Sequence, residues 1–255
     1  MTKSNDPHII YTFADKVFTI QINRPDKKNA LLPGMYKALA EGINLANEQD
    51  EVNAILIRGL DDCFTSGNDV NSFVGQEAEQ ADRPSVGFMQ ALNESRKPIV
   101  AAISGLAIGI GTTMLFHCDL VYASKDCFLQ LPFTRLGLCP EAGSSYLLPR
   151  QVGQLRAMEL LLLGERFDAE RAQEYGIVNK VLPQSEYLEF AMNQAQALAA
   201  LPADAVQTSK ALIKRGVSNA TQDTISIELK QFSRLLQTDD AQAIMQAFVD
   251  KRKAG

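Results

Sequence analysis

The first two hydrophobic runs of the chain alternate apolar with polar positions. HIIYTF and VFTIQIN place aliphatic and aromatic residues at every second position, and the polar turn ADK separates them. This pattern predicts a β-hairpin. Further along, MYKALAEGINLANEQ carries apolar residues at helical spacing, and Pro33 is a typical first residue of a helix. We therefore predict a helix from Pro33 to about Gln49.

Several later runs are short and apolar throughout, which predicts buried strands. They are VNAILIRGL, PIVAAIS, DLVYAS and CFLQLP. Strand, strand and helix then recur with irregular spacing, a pattern that predicts an α/β core of stacked units. Beyond Arg150 the sequence is almost wholly helical and includes the stretches GQLRAMELLLLG and FDAERAQEYG. The run Leu160–Leu163 is too short to cross a membrane and fits the core or a subunit interface.

Composition narrows the class of protein. A chain of 255 residues with 46% hydrophobic and 22% charged content is typical of one soluble globular domain. The net charge of −5 gives no general attraction to nucleic acid or to an anionic membrane, so we expect neither as a partner. The start MTKSNDPHII shows no apolar leader, and the final Lys-Ala-Gly is not a peroxisomal address of the S-K-L kind. We expect a cytoplasmic protein.

Histidine and cysteine content disfavours two kinds of site. Only His8 and His117 are present, so a multi-histidine metal site and a histidine-based nucleophile relay are both poorly supported. The four cysteines show no CxxC spacing, as expected of a reduced, intracellular protein. We expect His117, in an apolar context, to be a core or pocket-lining residue.

Glu141 is the only carboxylate in the stretch LQLPFTRLGLCPEAGSSYLLPR, residues 129–150. Burial in such an apolar setting would raise its pKa toward neutrality, where a carboxylate accepts and returns protons efficiently. The alternative is an ordinary glutamate in the first turn of a helix, favoured by the helix dipole and facing water. Glutamate is common at helix starts, so the residue pattern alone slightly favours this alternative.

Two glycine-containing loops could bind an anion through main-chain N–H groups. In Ser66-Gly67-Asn68-Asp69, the glycine could aim the N–H of Asn68 into a pocket at the end of a strand. In SGLAIGIGTTMLFHCD, a glycine-rich turn opens an apolar helix and leaves the N–H of Ile110 without a helical partner. Both also fit ordinary turns and close packing, since the glycine spacing matches neither a dinucleotide-binding nor a Walker loop.

Several motifs in consistent order resemble the crotonase, or enoyl-CoA hydratase/isomerase, superfamily over nearly the whole chain. They are NRPDKKNAL, the FTSGND loop, the GLAIGIG turn followed by CD, and PEAGSSYLLPR followed by YGIVNKV. The resemblance implies an α/β fold, a spiral of ββα units over residues 1–200, with a C-terminal helical trimerisation region over 201–255. It also implies a homotrimer or a dimer of trimers.

The same resemblance implies an acyl-CoA substrate whose thioester carbonyl lies between the N–H groups of Asn68 and Ile110. No separate cofactor is implied, because coenzyme A is part of the substrate. The substrate-binding residues implied by the motif positions are Lys28, Ala30, Ser66, Gly67, Asp69, Gly109, Thr113, Phe133 and Leu138. For the CoA phosphates, Lys28 and the run Lys251–Lys253 are candidates, with solvated surface charge as the alternative.

Departures from the family pattern indicate a subfamily. The two positions that carry glutamates in the hydratases hold Thr113 and Phe133 here, so hydration by two carboxylates is disfavoured. The segment PEAGSS is similar to that of the monofunctional peroxisomal-type Δ3,Δ2-enoyl-CoA isomerases, which implies that Glu141 is the catalytic base. Thr113, Phe133 and Leu138 would then shape a dry acyl pocket.

Three alternatives stay open from the sequence. One is a purely structural oligomer, which would need no glycine-lined turn for an oxyanion. A hydratase, or another acyl-CoA enzyme of this superfamily, would require Glu141 to activate water. A non-catalytic acyl-CoA-binding or interaction protein would need no acid, and the presence of Glu141 argues against it.

Overall fold

The computed structural model describes residues 3–69 and 84–253. The strands within these ranges are β1 (Ile9–Ala14), β2 (Val17–Ile22), β3 (Ala54–Arg58), β4 (Ile99–Ile103), β5 (Leu106–Ile108), β6 (Leu120–Ser124), β7 (Phe128–Gln130), β8 (Arg166–Asp168) and β9 (Lys180–Leu182). The helices are α1 (Pro33–Glu48), α2 (Pro84–Glu94), α3 (Ile110–Thr113), α4 (Ser144–Val152), α5 (Gln154–Met158), α6 (Ala169–Glu174), α7 (Tyr187–Ala200), α8 (Ala203–Lys214), α9 (Ser218–Leu236) and α10 (Asp239–Lys253).

The chain begins with the predicted hairpin. β1 and β2 pair antiparallel, with Phe13 opposite Phe18. Asp15 and Lys16 form the turn with φ of 51° and 63°, the left-handed conformation of a two-residue hairpin turn that matches the strand twist. The predicted helix is also present as α1. Hydrophobic alternation and helical spacing therefore identified both elements.

The strands of the chain lie in two different sheets. The larger sheet has the order β1-β2-β3-β4-β6-β9, and all of its pairs after β1-β2 are parallel. The smaller sheet has the order β5-β7-β8. β4 and β6 lie in the large sheet, whereas β5 and β7, which follow them directly, lie in the small one. The fold is an α/β fold of ββα units followed by C-terminal helices, as the sequence predicted.

The parallel strands are buried on both faces. On one side of the large sheet, residues of β2, β3 and β4 pack with α1 and α2, and on the other side α7 covers the sheet. Strands covered twice need apolar residues at nearly every position. This is why VNAILIRGL and PIVAAIS are continuous apolar runs rather than alternating ones.

One predicted helical stretch is wrong at its start. FDAERAQEYG was expected to be helical, but Phe167 and Asp168 belong to β8, which pairs antiparallel with β7. The helix α6 begins only after Asp168, whose carboxylate accepts a hydrogen bond of 2.8 Å from the backbone N–H of Arg171. A strand of three residues is too short to show the alternation of apolar and polar residues. Its structure is set by pairing with β7 instead.

The C-terminal helices do not all lie apart from the core. α9 contacts α2 and α4 within the same chain. α8, in contrast, buries only Lys210 and leaves Leu212 and Ile213 exposed. The assignment of residues 201–255 to oligomerisation stays a prediction. Within the described ranges, no helix combines the length and the apolar character needed to cross a lipid bilayer.

Candidate active site

A buried asparagine ties together the loops on which the site is built. The side-chain amide of Asn29 donates to the carbonyl oxygens of Ile22, Cys63 and Phe64 at 3.1, 3.0 and 3.0 Å. The hydroxyl of Thr65 in turn donates to the carbonyl oxygen of Asn29 at 2.7 Å. These buried and fully paired polar groups fix the segment that leads into Gly67.

Gly67 brings this segment against β5. It has φ of +88°, and a Cβ at this position would lie 2.7 Å from the carbonyl oxygen of Ile108. The N–H of Leu31 donates to the Gly67 carbonyl at 2.8 Å, and the N–H of Asp69 donates to the Leu31 carbonyl at 3.0 Å. Asn68 lies between these two bonded residues, so its own N–H points away from Leu31, as in any parallel bridge.

A second main-chain donor lies at the start of α3. Gly109, with φ of +58°, precedes the helix, and its carbonyl accepts from the N–H groups of Thr112 and Thr113, both at 2.9 Å. The N–H of Gly109 itself donates to Gln130 of β7 at 2.9 Å. Among the described residues, neither the N–H of Ile110 nor that of Asn68 has an acceptor. Two such donors can stabilise a negatively charged oxygen.

Asn68 and Gly109 line one cavity of about 370 Å³. Phe133, Leu138 and Phe232 provide apolar wall. The other lining residues are Lys28, Ser66, Gly67, Leu106, Ile108, Gln130, Pro132, Arg135, Leu136 and Arg166. Lys28, Arg135 and Arg166 bring three cations to this cavity, and none of these lining residues is an acid. The net-negative chain thus has a cleft suited to an anionic ligand with an apolar part.

Glu141 is buried, with 5% of its surface exposed. Burial first, and the nearby Glu228 second, raise its pKa from 4.5 to about 8. Its Oε1 has no hydrogen-bond partner among the described residues. The interpretation of Glu141 as a water-facing residue in the first turn of a helix is therefore wrong.

The turn after Glu141 explains why this residue lies outside the helix. Ala142 and Gly143 both adopt left-handed conformations, with φ of +59° and +73°. The N–H and the hydroxyl of Ser144 then donate to the Glu141 carbonyl at 3.1 and 2.6 Å, and α4 begins at Ser144. His117 is buried as expected, and its Nε2 lies 2.7 Å from the carbonyl oxygen of Ala142.

Tyr36 of α1 connects Glu141 with the first N–H donor. Its hydroxyl donates to the side-chain oxygen of Asn68. Burial and then the charge of Glu141 raise the pKa of Tyr36 well above its usual value. The phenol that bonds to Asn68 is therefore close enough to Glu141 to feel its charge, which places the acid and the donor in one region of the fold.

The other predicted residues divide into two groups. Lys28, Ser66, Gly67, Gly109, Phe133 and Leu138 line the cavity with Asn68, whereas Ala30, Asp69, Ile110, Thr113 and Glu141 are buried and are not among its lining residues. Asp69 forms a salt bridge of 2.8 Å with Arg24. Thr113 is fully buried, and its hydroxyl has no partner within the described part of the chain. The side chains of residues 251–253 lie outside the described side chains.

Sequence reasoning missed four residues of this region. Arg135 and Arg166 line the cavity, Tyr36 bonds to Asn68, and Glu228 lies beside Glu141. Glu228 left a signal in the sequence. It occupies a position on the inward face of α9 together with Thr221, Ile225 and Phe232, and a charge on such a face is rare unless it is paired.

The chain is similar to known proteins in sequence and in fold. Residues 12–255 match the family model described as enoyl-CoA hydratase/isomerase. OdaA of Pseudomonas aeruginosa superposes with a TM-score of 0.93 at 40% sequence identity, covering 95% of this chain and 99% of that one. The mitochondrial enoyl-CoA hydratase of Pongo abelii is 33% identical over 92% of this chain and 81% of its own length. Enoyl-CoA delta isomerase 2 of Rattus norvegicus is 34% identical over 81% of this chain, which spans 54% of that longer protein.

Proposed function

The chain belongs to the enoyl-CoA hydratase/isomerase family, and from that membership we propose that it is an isomerase that moves a Δ3 double bond of an enoyl-CoA to Δ2. The observation that carries the proposal is the buried carboxylate of Glu141. Its Oε1 has no partner among the described residues, and its charge acts on Tyr36, which bonds to Asn68. Such an isomerisation needs one group that removes a proton and returns it. It requires no activated water.

The first step of the proposed reaction is removal of a C2 proton by Glu141. The electrons then move toward the thioester oxygen, and the negative charge of the dienolate lies between the N–H groups of Asn68 and Ile110. Each such donor lowers the barrier by several kcal/mol in related oxyanion sites. Protonated Glu141 finally returns the proton to C4, so the double bond lies at Δ2 and the base is regenerated.

The environment of Glu141 suits this role. A carboxylate with a pKa of about 8 is a much stronger base than one with an ordinary pKa, and about a tenth of it is ionised at pH 7. Phe133 and Leu138 line the cavity with apolar surface, as an acyl chain requires. The three cations of the cavity, Lys28, Arg135 and Arg166, suit the phosphates of coenzyme A.

The residues at positions 113 and 133 support isomerisation over hydration. A hydratase of this family is expected to have a carboxylate at each position, and a threonine and a phenylalanine stand there instead. Neither side chain can act as a general base toward water at neutral pH. Water addition would therefore depend on Glu141 alone.

The test compares two substrates with purified protein. We expect 3-hexenoyl-CoA to be converted to the conjugated 2-enoyl thioester, which is measured by its absorbance. We expect crotonyl-CoA to gain no water, which is measured by mass spectrometry. The variant Glu141→Gln should lose about 10²- to 10⁴-fold in kcat, the usual contribution of a general base, while still binding the thioester. The control is Glu186→Gln, at an exposed position before α7. Hydration of crotonyl-CoA, or full activity of Glu141→Gln, would refute the proposal.

A further inference from the structure

Glu228 of α9 is a second buried acid beside Glu141, and no step of the proposed reaction uses it. Only 6% of its surface is exposed. Its Oε2 accepts a hydrogen bond from the N–H of Gly143 at 2.6 Å. Its Oε1 accepts from the N–H and from the hydroxyl of Ser145, at 2.8 and 2.5 Å. All three donors belong to the turn that follows Glu141.

The same helix holds the chain on both sides of Glu141. Before it, the thiol of Cys139 lies 3.7 Å from the Glu228 carbonyl oxygen, to which it donates. After it, Gly143 packs closely on α9, since a Cβ at Gly143 would lie 2.8 Å from Cγ2 of Thr221. Because Ala142 is left-handed although it carries a Cβ, the turn has conformational strain that outside contacts must hold. Glu228 provides the polar part of those contacts.

The two carboxylates are not equivalent. Both oxygens of Glu228 accept N–H bonds at the start of α4, an arrangement that stabilises the ionised form. Oε1 of Glu141 has no donor in the described part of the chain. When two close buried acids compete for one proton, the acid with fewer donors keeps it. Burial raises the pKa of Glu228 as well, but the hydrogen bonds from Ser145 and Gly143 lower it, so Glu228 is the better stabilised anion and Glu141 has the higher affinity for a proton.

The remaining titratable groups around Glu141 do not offset this charge. Tyr36 faces it from α1, and Cys139 faces it from its own segment. His117 touches the same turn from the short 3-10 helix after α3, and burial lowers its pKa to about 4, so it is neutral. Lys210 and Lys214, whose charges act on His117, form their ion pairs with Asp119, and Arg234 of α9 acts on Cys139. Within the described ranges, no cation pairs with Glu141.

We propose that Glu228 is a positioning residue for the base: its carboxylate fixes the turn that carries Glu141 and places a fixed negative charge behind it. This inference rests on the proposed function of Glu141. It assigns to α9, a helix of the C-terminal region, a direct part in setting the basicity of the site.

The first measurement is a ¹³C NMR titration of the Glu141 carboxyl in the free protein, with the resonance assigned by its loss in Glu141→Gln. In Glu228→Gln we expect the titration midpoint of Glu141 to fall by about one pH unit, because a nearby negative charge is removed. The matched control is Asp223→Asn, which removes an exposed acid from the same helix and should leave the midpoint in place. An unchanged midpoint in Glu228→Gln would overturn the proposal.

Kinetics provide the second measurement. The pH profile of kcat/KM should shift toward lower pH in Glu228→Gln, by the same amount as the NMR midpoint. A merely structural role would lower the melting temperature without shifting the profile along the pH axis. If Glu228→Gln does not fold, Ser145→Ala removes one donor to Glu228. Glu228 is then easier to protonate, so less negative charge acts on Glu141 and its midpoint should fall by less than in Glu228→Gln. No shift in this variant would equally refute the proposal. Should the wild-type protein convert no 3-enoyl-CoA, the proposed function fails, but the NMR titration still decides the role of Glu228.

Discussion

The hydroxyl of Tyr36 donates a hydrogen bond to the side-chain oxygen of Asn68. Tyr36 is buried in α1, where its ring lies 5.7 Å from that of Phe88. The bond restrains the side chain of Asn68, so this residue is held by Tyr36 as well as by the loop. The proposed oxyanion donor is therefore preorganised.

Tyr36→Phe removes this restraint without changing the volume of the ring. We expect kcat to fall by about 3- to 10-fold, the equivalent of one hydrogen bond, with little change in KM. The control is Tyr175→Phe. This variant also loses a hydrogen bond, with Arg171 at 3.1 Å, but Tyr175 directly follows α6 and does not line the cavity. Steady-state kinetics on 3-hexenoyl-CoA measure both. Equal losses in the two variants would contradict the restraint.

Activity should depend on pH through Glu141. The free enzyme needs this group ionised, and its pKa is raised to about 8. We expect kcat/KM to rise about tenfold per pH unit on the acidic side and to level off above about pH 8. A profile measured from pH 6 to 9.5 with 3-hexenoyl-CoA at low concentration tests this. A flat profile between pH 6 and 8 would show that another group is the base.

The difference in stability between the wild type and Glu141→Gln should also depend on pH. The folded protein holds the Glu141 proton up to about pH 8, whereas the unfolded chain releases it near 4.5. Wild-type stability is therefore present at low pH and is lost as the pH rises through this window, by up to about 1.4 kcal/mol per pH unit. The glutamine variant has no carboxyl proton to lose at position 141. Its free energy of unfolding should therefore increase relative to that of the wild type from pH 5 to 8.

Urea unfolding at pH 5, 6.5 and 8 measures this difference. The exposed variant Glu186→Gln should show no such gain and serves as the control. A difference between wild type and Glu141→Gln that stays constant with pH would mean that Glu141 has an ordinary pKa in the folded protein.

Gly67→Ala tests the close approach of the two loops. The new Cβ would lie 2.7 Å from the Ile108 carbonyl oxygen, so the loop must move and carry the Asn68 N–H with it. We expect kcat to fall by about 10²-fold or more, the usual cost of a lost oxyanion donor. Gly176→Ala is the matched control, because Gly176 has φ of +76° but open space around its Cβ. It should lose some stability to backbone strain and keep its activity.

Much of the fold could be predicted because each local pattern agrees with the tertiary structure. The hairpin, α1 and the apolar strands show periods that burial on one or two faces dictates. The glycines at 67 and 109 were also informative, since both have positive φ, where other residues are strained. The role of these glycines in positioning N–H donors could be predicted only from the resemblance to a family, because the same glycines also fit ordinary turns.

The missed features depend on long-range contacts. β8 exists because it pairs with β7, and its three residues carry no pattern of their own. Glu228 meets Ser145 across 83 positions of sequence, so only the fold reveals which group pairs with the buried charge. Arg135 and Arg166 line the cavity through the same kind of juxtaposition.

The donors at Asn68 and Ile110 are main-chain atoms, and this has an evolutionary consequence. No single side-chain replacement other than proline can delete an N–H group, so the part of the site that would hold the charge is protected from most mutations. Acids nearby can then be lost, gained or moved while the frame formed by these two donors is inherited intact. In this chain, where threonine and phenylalanine occupy positions 113 and 133, a new reaction needs only a carboxylate elsewhere on the wall of the same frame.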